Sequence, residues 1–366
     1  GDGFLLEVGY ALLDQLDVYF VVDGGVVQKV STGDQRSFWQ RPIWHRNYLM
    51  PLPEVKADRW QLYVRVQSEG SVEVPLRIWE RDAFWNLEQG TLLVKGAFAG
   101  ILLVMVLYNI FVFLVVRDQS YLYYVGYGFS ILLFQLSIDG LAYQYMWPDL
   151  KGWHQSSIVL FVCFAAVFRC MFTIAFLNLP SRWSAAAWVL SAVVTVALLL
   201  ASLSVVIPYN LAIKLAALLV LPSTMLCLGV GAILLYQGLR RARYFVAGWL
   251  VYFVGAALFA LSKMGWLPVN LWTEYLLQVG VTVEIVLFSM ALADSINLER
   301  REKQQAQRQS IQNLERYRSL YENAVEGIYQ SDIDGRLIAV NPAMAAMLGY
   351  SAPEEMIQEY LRRDVS

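Results

Sequence analysis

Charge is scarce in this sequence. Of its 366 residues, 16% are Asp, Glu, Lys or Arg and 58% are hydrophobic. A soluble chain carries about a quarter of its residues charged, so the shortage points to lipid rather than to a large soluble core. The formal net charge is −2. That lacks the basic excess a phosphate backbone requires and excludes a nucleic-acid partner. Histidine is nearly absent, with only His45 and His154. The three cysteines, Cys163, Cys170 and Cys227, all lie in apolar runs. The water-exposed parts therefore hold neither a disulfide framework nor zinc-ligand spacing. The pattern contains no catalytic constellation and no metal set, and it specifies no cofactor. Residue 1 is Gly rather than Met, and no signal peptide precedes it; the chain reads as a piece at both ends.

Apolar length is present in quantity. Seven runs, residues 92–116, 121–146, 156–177, 185–207, 211–236, 244–266 and 272–293, are each near the ~20 residues that cross a bilayer. Arg117-Asp118, Pro148, Pro180, Pro208, the Arg240-Arg241-Ala242-Arg243 cluster and Pro268 separate them. Seven such runs in series cannot be a soluble core, whose helices would show polar faces. With the N-terminus outside, the inner loops hold Arg117, Arg182, Arg240, Arg241 and Arg243, and the outer loops hold Lys151. Basic residues favour the cytoplasmic side, so the N-terminus is expected outside and the C-terminus inside. Trp147, Trp153, Trp266 and Trp272 sit at the outer ends, as interfacial aromatics do.

Residues 1–90 alternate with period two. LDVYFVV and VVQKV flank an Asp-Gly-Gly turn, and RWQLYVRV and VEVPLRIW alternate likewise. This predicts an extracellular or periplasmic all-β sandwich whose first strands are missing. Residues 91–297 form the seven-helix transmembrane domain. Residues 298–320 are rich in Glu, Gln, Arg and Leu, with no Gly or Pro between Gly280 and Gly327, so the seventh helix is expected to run on beyond the membrane. Ile311, Leu314, Tyr321 and Val325 keep an a/d spacing that Arg318 interrupts. That fits a solvated helical linker or a parallel two-stranded coiled coil joining a homodimer. Residues 321–366 read strand, turn at Asp334-Gly335, strand, then a helix capped by Asn341 with Pro342 first and Gly349 ending it.

The phrases ENAVEGIY, DGRLIAVNPA and MLGYSAPEEM resemble the start of a PAS domain, an α+β fold of which only the N-terminal half is expected here. The phrases LDVYFVVDGG, RPIWHRNYLMPL, LYNIFVF and TEYLLQVGVTVEIVLFSMALADSIN extend the likeness. Together the chain resembles the bacterial seven-transmembrane receptors with diverse intracellular signalling modules, those with the second type of extracellular domain. The resemblance covers about residues 4–298. It implies a jelly-roll outer domain similar to carbohydrate-binding modules and a multi-pass place in the bacterial inner membrane. It also implies output through a histidine kinase, diguanylate cyclase, phosphodiesterase or nucleotide cyclase, none of which is in this chain.

Several residues are candidates for function. The stretch RPIWHRNYLM gathers Arg41, Trp44, His45, Arg46 and Asn47. An aromatic beside several hydrogen-bonding groups suits a small-molecule ligand, a carbohydrate or a carboxylate; a polar edge packed on the membrane domain is the other reading. Arg169 and Glu284 lie at similar depth in helices three and seven and are expected to pair, as a structural ion pair or as a two-state latch. Asp139, Lys214 and Lys263 lie in the outer thirds of helices two, five and six, reaching the interface or lining a crevice. Gly96 and Gly100 in helix one predict close helix packing, and Pro222 a kink in helix five. A signalling receptor without catalytic activity of its own is the first reading. A transporter or channel-like protein with a regulatory cytoplasmic domain is the alternative, although no repeated half-sequence supports it. An intramembrane serine–histidine enzyme would need a histidine in the spans, and a retinal receptor a lysine midway along the last one.

Overall fold

A computed structural model of the chain describes residues 3–53, 60–70, 72–150, 152–263, 266–267, 271–333 and 337–363. Lys151, Pro268, the Asp334-Gly335 turn and the side chains of Lys263 and Trp272 lie outside the described residues. The chain divides into two units, Gly1–Asp294 and Ser295–Ser366.

Among the described residues of the first unit, six strands make two antiparallel sheets. Strands β1 (Phe4–Val8), β4 (Tyr48–Pro51) and β6 (Leu76–Glu80) form one in the order β4-β1-β6. Strands β2 (Gln15–Val22), β3 (Gly25–Thr32) and β5 (Gln61–Gln67) form the other in the order β3-β2-β5. The hairpin between β2 and β3 closes with Val22 opposite Gly25. Asp23 and Gly24 both have positive φ, 48° and 79°, which matches the right-handed strand twist. Leu6, Val8, Leu16, Val18, Phe20 and Met50 fill the space between the sheets.

Among the described residues, seven helices are long and apolar enough to cross a membrane. They are α1 (Arg81–Val116), α2 (Gln119–Ile138), α4 (Trp153–Phe176), α6 (Ser184–Leu203), α7 (Tyr209–Tyr236), α8 (Ala242–Lys263) and α9 (Leu271–Glu322); α3 (Leu141–Tyr145) and α5 (Leu179–Arg182) are short connectors. Helix α4 is the most buried and packs on α2, α6 and α7. Phe172 and Phe176 of α4, Phe245 and Trp249 of α8 and Phe288 of α9 stack into one aromatic core, with Phe245 and Phe288 nearly parallel at 5.4 Å.

Three local expectations change. Helix α1 begins at Arg81, eleven residues before its apolar run and inside the segment assigned to the outer domain. It follows β6 directly, and Phe84 packs on Leu5 and Leu49 of the sandwich. Helix α2 stops at Ile138 rather than Met146, because Gly140 turns the chain at φ 75°. A Cβ at Gly140 would sit 2.9 Å from the Ala11 methyl and 3.2 Å from the Arg46 carbonyl oxygen, so the strand domain closes on this turn with no room for a side chain there. Gly96 and Gly100 have nothing within 4 Å of a built Cβ. Close packing occurs instead between α8 and α9, where a Cβ added at Gly255 would lie 3.3 Å from the Gly280 Cα.

The second unit contains residues 295–322 of α9, strands β7 (Tyr329–Ser331) and β8 (Leu337–Val340), and helices α10 (Pro342–Met347) and α11 (Pro353–Arg363). Asn341 caps α10 as its sequence implies, accepting from Met344 N at 2.9 Å. The same buried side chain accepts from Ile328 N at 2.8 Å and donates to the carbonyls of Glu326 and Tyr321. One amide therefore joins the end of α9, the entry to β7 and the start of α10. Gly349, at φ 82°, ends the turn after α10.

Candidate functional site

The outer sandwich meets the helices through a buried polar junction. Glu88 lies on the outward extension of α1 and accepts two bonds from Arg46, Nε to Oε1 and Nη2 to Oε2, both at 3.0 Å. His45 Nδ1 accepts from Asn47 N at 3.1 Å, which places the ring proton of the neutral form on Nε2, and Nε2 lies 3.0 Å from Glu88 Oε1. Asn47 donates to Glu7 at 2.7 Å, and Trp79 donates to the other oxygen of that carboxylate at 2.7 Å. The Arg41 guanidinium lies 4.1 Å over Phe38 and 4.3 Å over Tyr48 and donates to the carbonyls of His45 and Arg46. Arg41, His45, Arg46 and Asn47 thus each contact other groups of the protein. Trp44 is the exposed member of the five and lies against Trp39, centroids 4.3 Å apart; Trp39 is also exposed.

A second part of the junction centres on Gln155, in the first turn of α4. Its amide nitrogen donates to Asp14 and to both oxygens of Asp34, and its carbonyl accepts from Gln35 at 3.1 Å. Asp14 also accepts from Ser68 and from Glu69 N. The backbone allows this approach because residue 33 is glycine: at φ 150° a Cβ there would lie 2.0 Å from the Asp14 carbonyl oxygen. Burial, with a contribution from neighbouring Asp14, pushes the Asp34 carboxyl up from 3.8 to about 7, against the Gln155 hydrogen bond and the Arg41 charge. Its folded value therefore exceeds its unfolded one, and between pH ~4 and ~7 the native state holds a proton the unfolded chain has lost. Stability falls across that window by at most about 1.4 kcal/mol per pH unit and levels off above it. Thermal unfolding of the purified protein at pH 4.5, 6 and 8 is expected to show this decline, and Asp34→Asn to flatten it. An identical pH slope in the variant would count against the assignment.

Within the bundle, polar contacts converge on α9. Tyr127 of α2 donates to Glu284 at 3.1 Å, Tyr124 donates to the Ile285 carbonyl at 2.8 Å, and Asn109 of α1 donates to Ser289 at 3.1 Å. Arg169 does not pair with Glu284: it donates to Ser223 Oγ at 2.6 Å and to the Val220 carbonyl at 3.3 Å, with Trp249 5.8 Å away. Ser223 follows and Val220 lies two residues before Pro222, which lies inside α7 and cannot donate a backbone N–H. Thr224 also donates to Val220. The polar groups around this proline accept both of these bonds from Nη2, while the buried Nε has no hydrogen-bond partner among the described residues. Asp139, which ends α2, is ion-paired with Lys95 of α1, a partner that hydropathy hides because its span reads as apolar. Lys214 is exposed on α7. Sequence reasoning also missed Glu88, Gln155 and Trp39. Glu88 and Gln155 sit in helix ends whose burial comes from another domain, and nothing local marks them.

A strand domain locked to one end of seven apolar helices, with polar contacts gathered on the helix that runs furthest, defines a multi-pass membrane protein built around an outer domain. The chain belongs to the 7TM diverse intracellular signalling family, whose model matches residues 91–295. The model described as 7TMR-DISM extracellular 2 matches residues 2–80, and a PAS domain model matches residues 315–366. No curated protein and no solved structure matches the chain. These families make it a sensory transmembrane signalling receptor.

Proposed function

We propose that the outer sandwich senses an extracytoplasmic ligand, a carbohydrate or a carboxylate-bearing small molecule. The signal passes through α9 and a dimeric linker to the PAS module and to a catalytic module beyond it, a diguanylate cyclase, phosphodiesterase, histidine kinase or nucleotide cyclase. The protein sits in the bacterial inner membrane with the sandwich outside. The carrying observation is α9 itself, one helix from Leu271 to Glu322, held by Tyr124, Tyr127 and Asn109 to the helices that also hold the sandwich. The exposed Trp39–Trp44 pair supports a carbohydrate, since sugar faces stack on indole rings. Exposure of Ile311, Leu314, Tyr317 and Leu320 supports pairing of two linkers. The inner-loop arginines, at helix ends opposite those that hold the sandwich, support the orientation.

Two insertions near Gln307 test the relay. Four extra residues turn everything downstream by about 40°, whereas seven nearly preserve heptad register. With Leu314→Cys in membranes, cross-linking between protomers is expected without insertion and with seven residues, and to fall at least fivefold with four. Equal cross-linking in all three would make the linker a tether.

A further inference from the structure

Asp14 and Asp34 meet at the seam between the sandwich and α4, and one group serves both. The Gln155 amide nitrogen has two protons and faces three carboxylate oxygens, one of Asp14 and two of Asp34. Acceptors that share a nitrogen lie within about 6 Å of each other. Their spacing is fixed inside the sandwich, where Asp34 N donates to the Leu13 carbonyl at 2.8 Å and Gln35 N to the Asp14 carbonyl at 3.3 Å. Among the described residues no cation forms an ion pair with either carboxylate. Arg41 lies within electrostatic reach of Asp34 but is bonded to the His45 and Arg46 carbonyls. Tyr48 of β4, Tyr143 of α3 and Tyr209 of α7 are also within reach. His154 of α4 turns to Tyr143 instead, ring centroids 4.9 Å apart. Donors separate the two acids. Asp14 accepts from Ser68 at 3.0 Å and from Glu69 N at 2.9 Å besides Gln155, whereas among the described residues the Asp34 carboxyl accepts from the shared amide alone. Two carboxylates on one site hold a proton between them, and the one with fewer donors keeps it.

We propose that this pair is a proton sensor: a proton on Asp34 closes the sandwich onto α4, and its loss opens that seam. The input is external pH itself, which goes beyond the small-molecule reading and needs no other ligand. Asp34 is 1% exposed and Asp14 8%, so the proton enters by way of Asp14. The folded value of Asp34, about 7, puts the change near neutrality. Above it, two charges on one amide exceed what two N–H bonds can solvate, and water must enter. The carboxylates are tied to each other through the sandwich backbone, so the partner that can withdraw is Gln155. It sits in the first turn of a single helix, Trp153–Phe176. Phe172 near the far end of that helix packs on Phe288 of α9, centroids 5.3 Å apart, so a shift of α4 reaches the helix that carries the signal.

The test uses the full chain in phosphatidylcholine nanodiscs, spin-labelled at Lys29→Cys on β3 and Val206→Cys after α6. Both positions are exposed, and the three native cysteines are buried. By pulsed EPR the interspin distance is expected to change between pH 5.5 and 8.5 by at least about 2 Å, the scale of helix shifts in switching proteins. The midpoint should fall near pH 7. Asp34→Asn should keep the low-pH distance throughout, and Asp14→Asn, without the neighbouring charge, should move the midpoint down. An unchanged distance in the otherwise unaltered protein overturns the proposal. So does an equal change in Asp34→Asn, which would assign the response to another group. Where Asp34→Asn does not fold, Gln155→Leu decides: it removes a donor that favours the ionised form and should raise the midpoint, and an unmoved midpoint overturns the proposal. No sugar or carboxylate ligand enters the experiment, so its failure leaves the small-molecule reading standing.

Discussion

Glu88→Ala is expected to destabilise the protein by about 3–5 kcal/mol, the usual cost of removing one partner from a buried ion pair. The loss is large because Glu88 receives both nitrogens of one Arg46 fork and also faces His45. Without the carboxylate, a buried guanidinium keeps its charge and loses its counter-charge. The damage should concentrate at the junction, so proteolysis of the sandwich should rise before the helices melt. Arg46→Met in the Glu88→Ala background removes the stranded charge and should recover at least half the loss. Thermal unfolding of the two single variants and the double variant, read as a cycle, decides it. A loss under 1 kcal/mol in Glu88→Ala would mean that water reaches the pair.

Exchanging Arg169 and Glu284 is expected to harm the protein more than either single change. Equal depth in neighbouring helices would make a swap neutral if the two residues paired, and their observed partners forbid that. A carboxylate at position 169 would meet the Val220 carbonyl, an acceptor, and keep only the Ser223 hydroxyl as a donor. An arginine at position 284 would gain Tyr127 as an acceptor, but at a site shaped for a shorter chain. Arg169→Ala alone should cost about 3 kcal/mol, from two bonds to a charged donor at roughly 1.5 kcal/mol each. Monodisperse yield in detergent and melting temperature are the measures. Recovery by the swap to near the unaltered value would restore the ion-pair reading.

Seven spans are legible in this sequence because hydropathy accumulates over twenty residues and needs no partner. The cap at Asn341 is legible for the opposite reason: all of its information lies within three residues, in Asn-Pro before an apolar turn. The extra bonds of Asn341 to Tyr321 and Glu326 need the fold. The outer turns of α1 read as polar because Arg81, Asp82, Asn86 and Glu88 dominate the window. Only docking on Leu5 and Leu49 makes Phe84 a core residue. Depth along the membrane normal was readable for Arg169 and Glu284, but lateral position was not, since hydropathy carries no azimuth between helices far apart in sequence. Lys95 escaped notice because its side chain neutralises Asp139 across 44 positions, and nothing near either residue announces the other. Gly96 and Gly100 share the spacing of a packing motif, yet the glycines that bring backbones together, Gly255 and Gly280, lie on two separate helices.

That glycine contact has a mechanical consequence. At Gly255 the built Cβ would meet the Leu276 carbonyl oxygen at 2.8 Å, and at Gly280 the Val251 carbonyl oxygen at 3.5 Å, so α8 and α9 touch there without side chains between them. Elsewhere interlocked rings such as Phe245 and Phe288 resist sliding, whereas two bare backbones form a smooth bearing. Such a bearing is a fulcrum. From Gly280 the arm of α9 out to Leu271 is about 14 Å and the arm to Asp294 about 21 Å, at 1.5 Å per residue. A tilt about this point drives the two ends in opposite directions and makes the far end travel about half as far again as the near one. Even a methyl group at Gly255 would press on that backbone oxygen and seize the pivot, while leaving every polar bond to α9 chemically possible; at Gly280 it would meet only ordinary contacts.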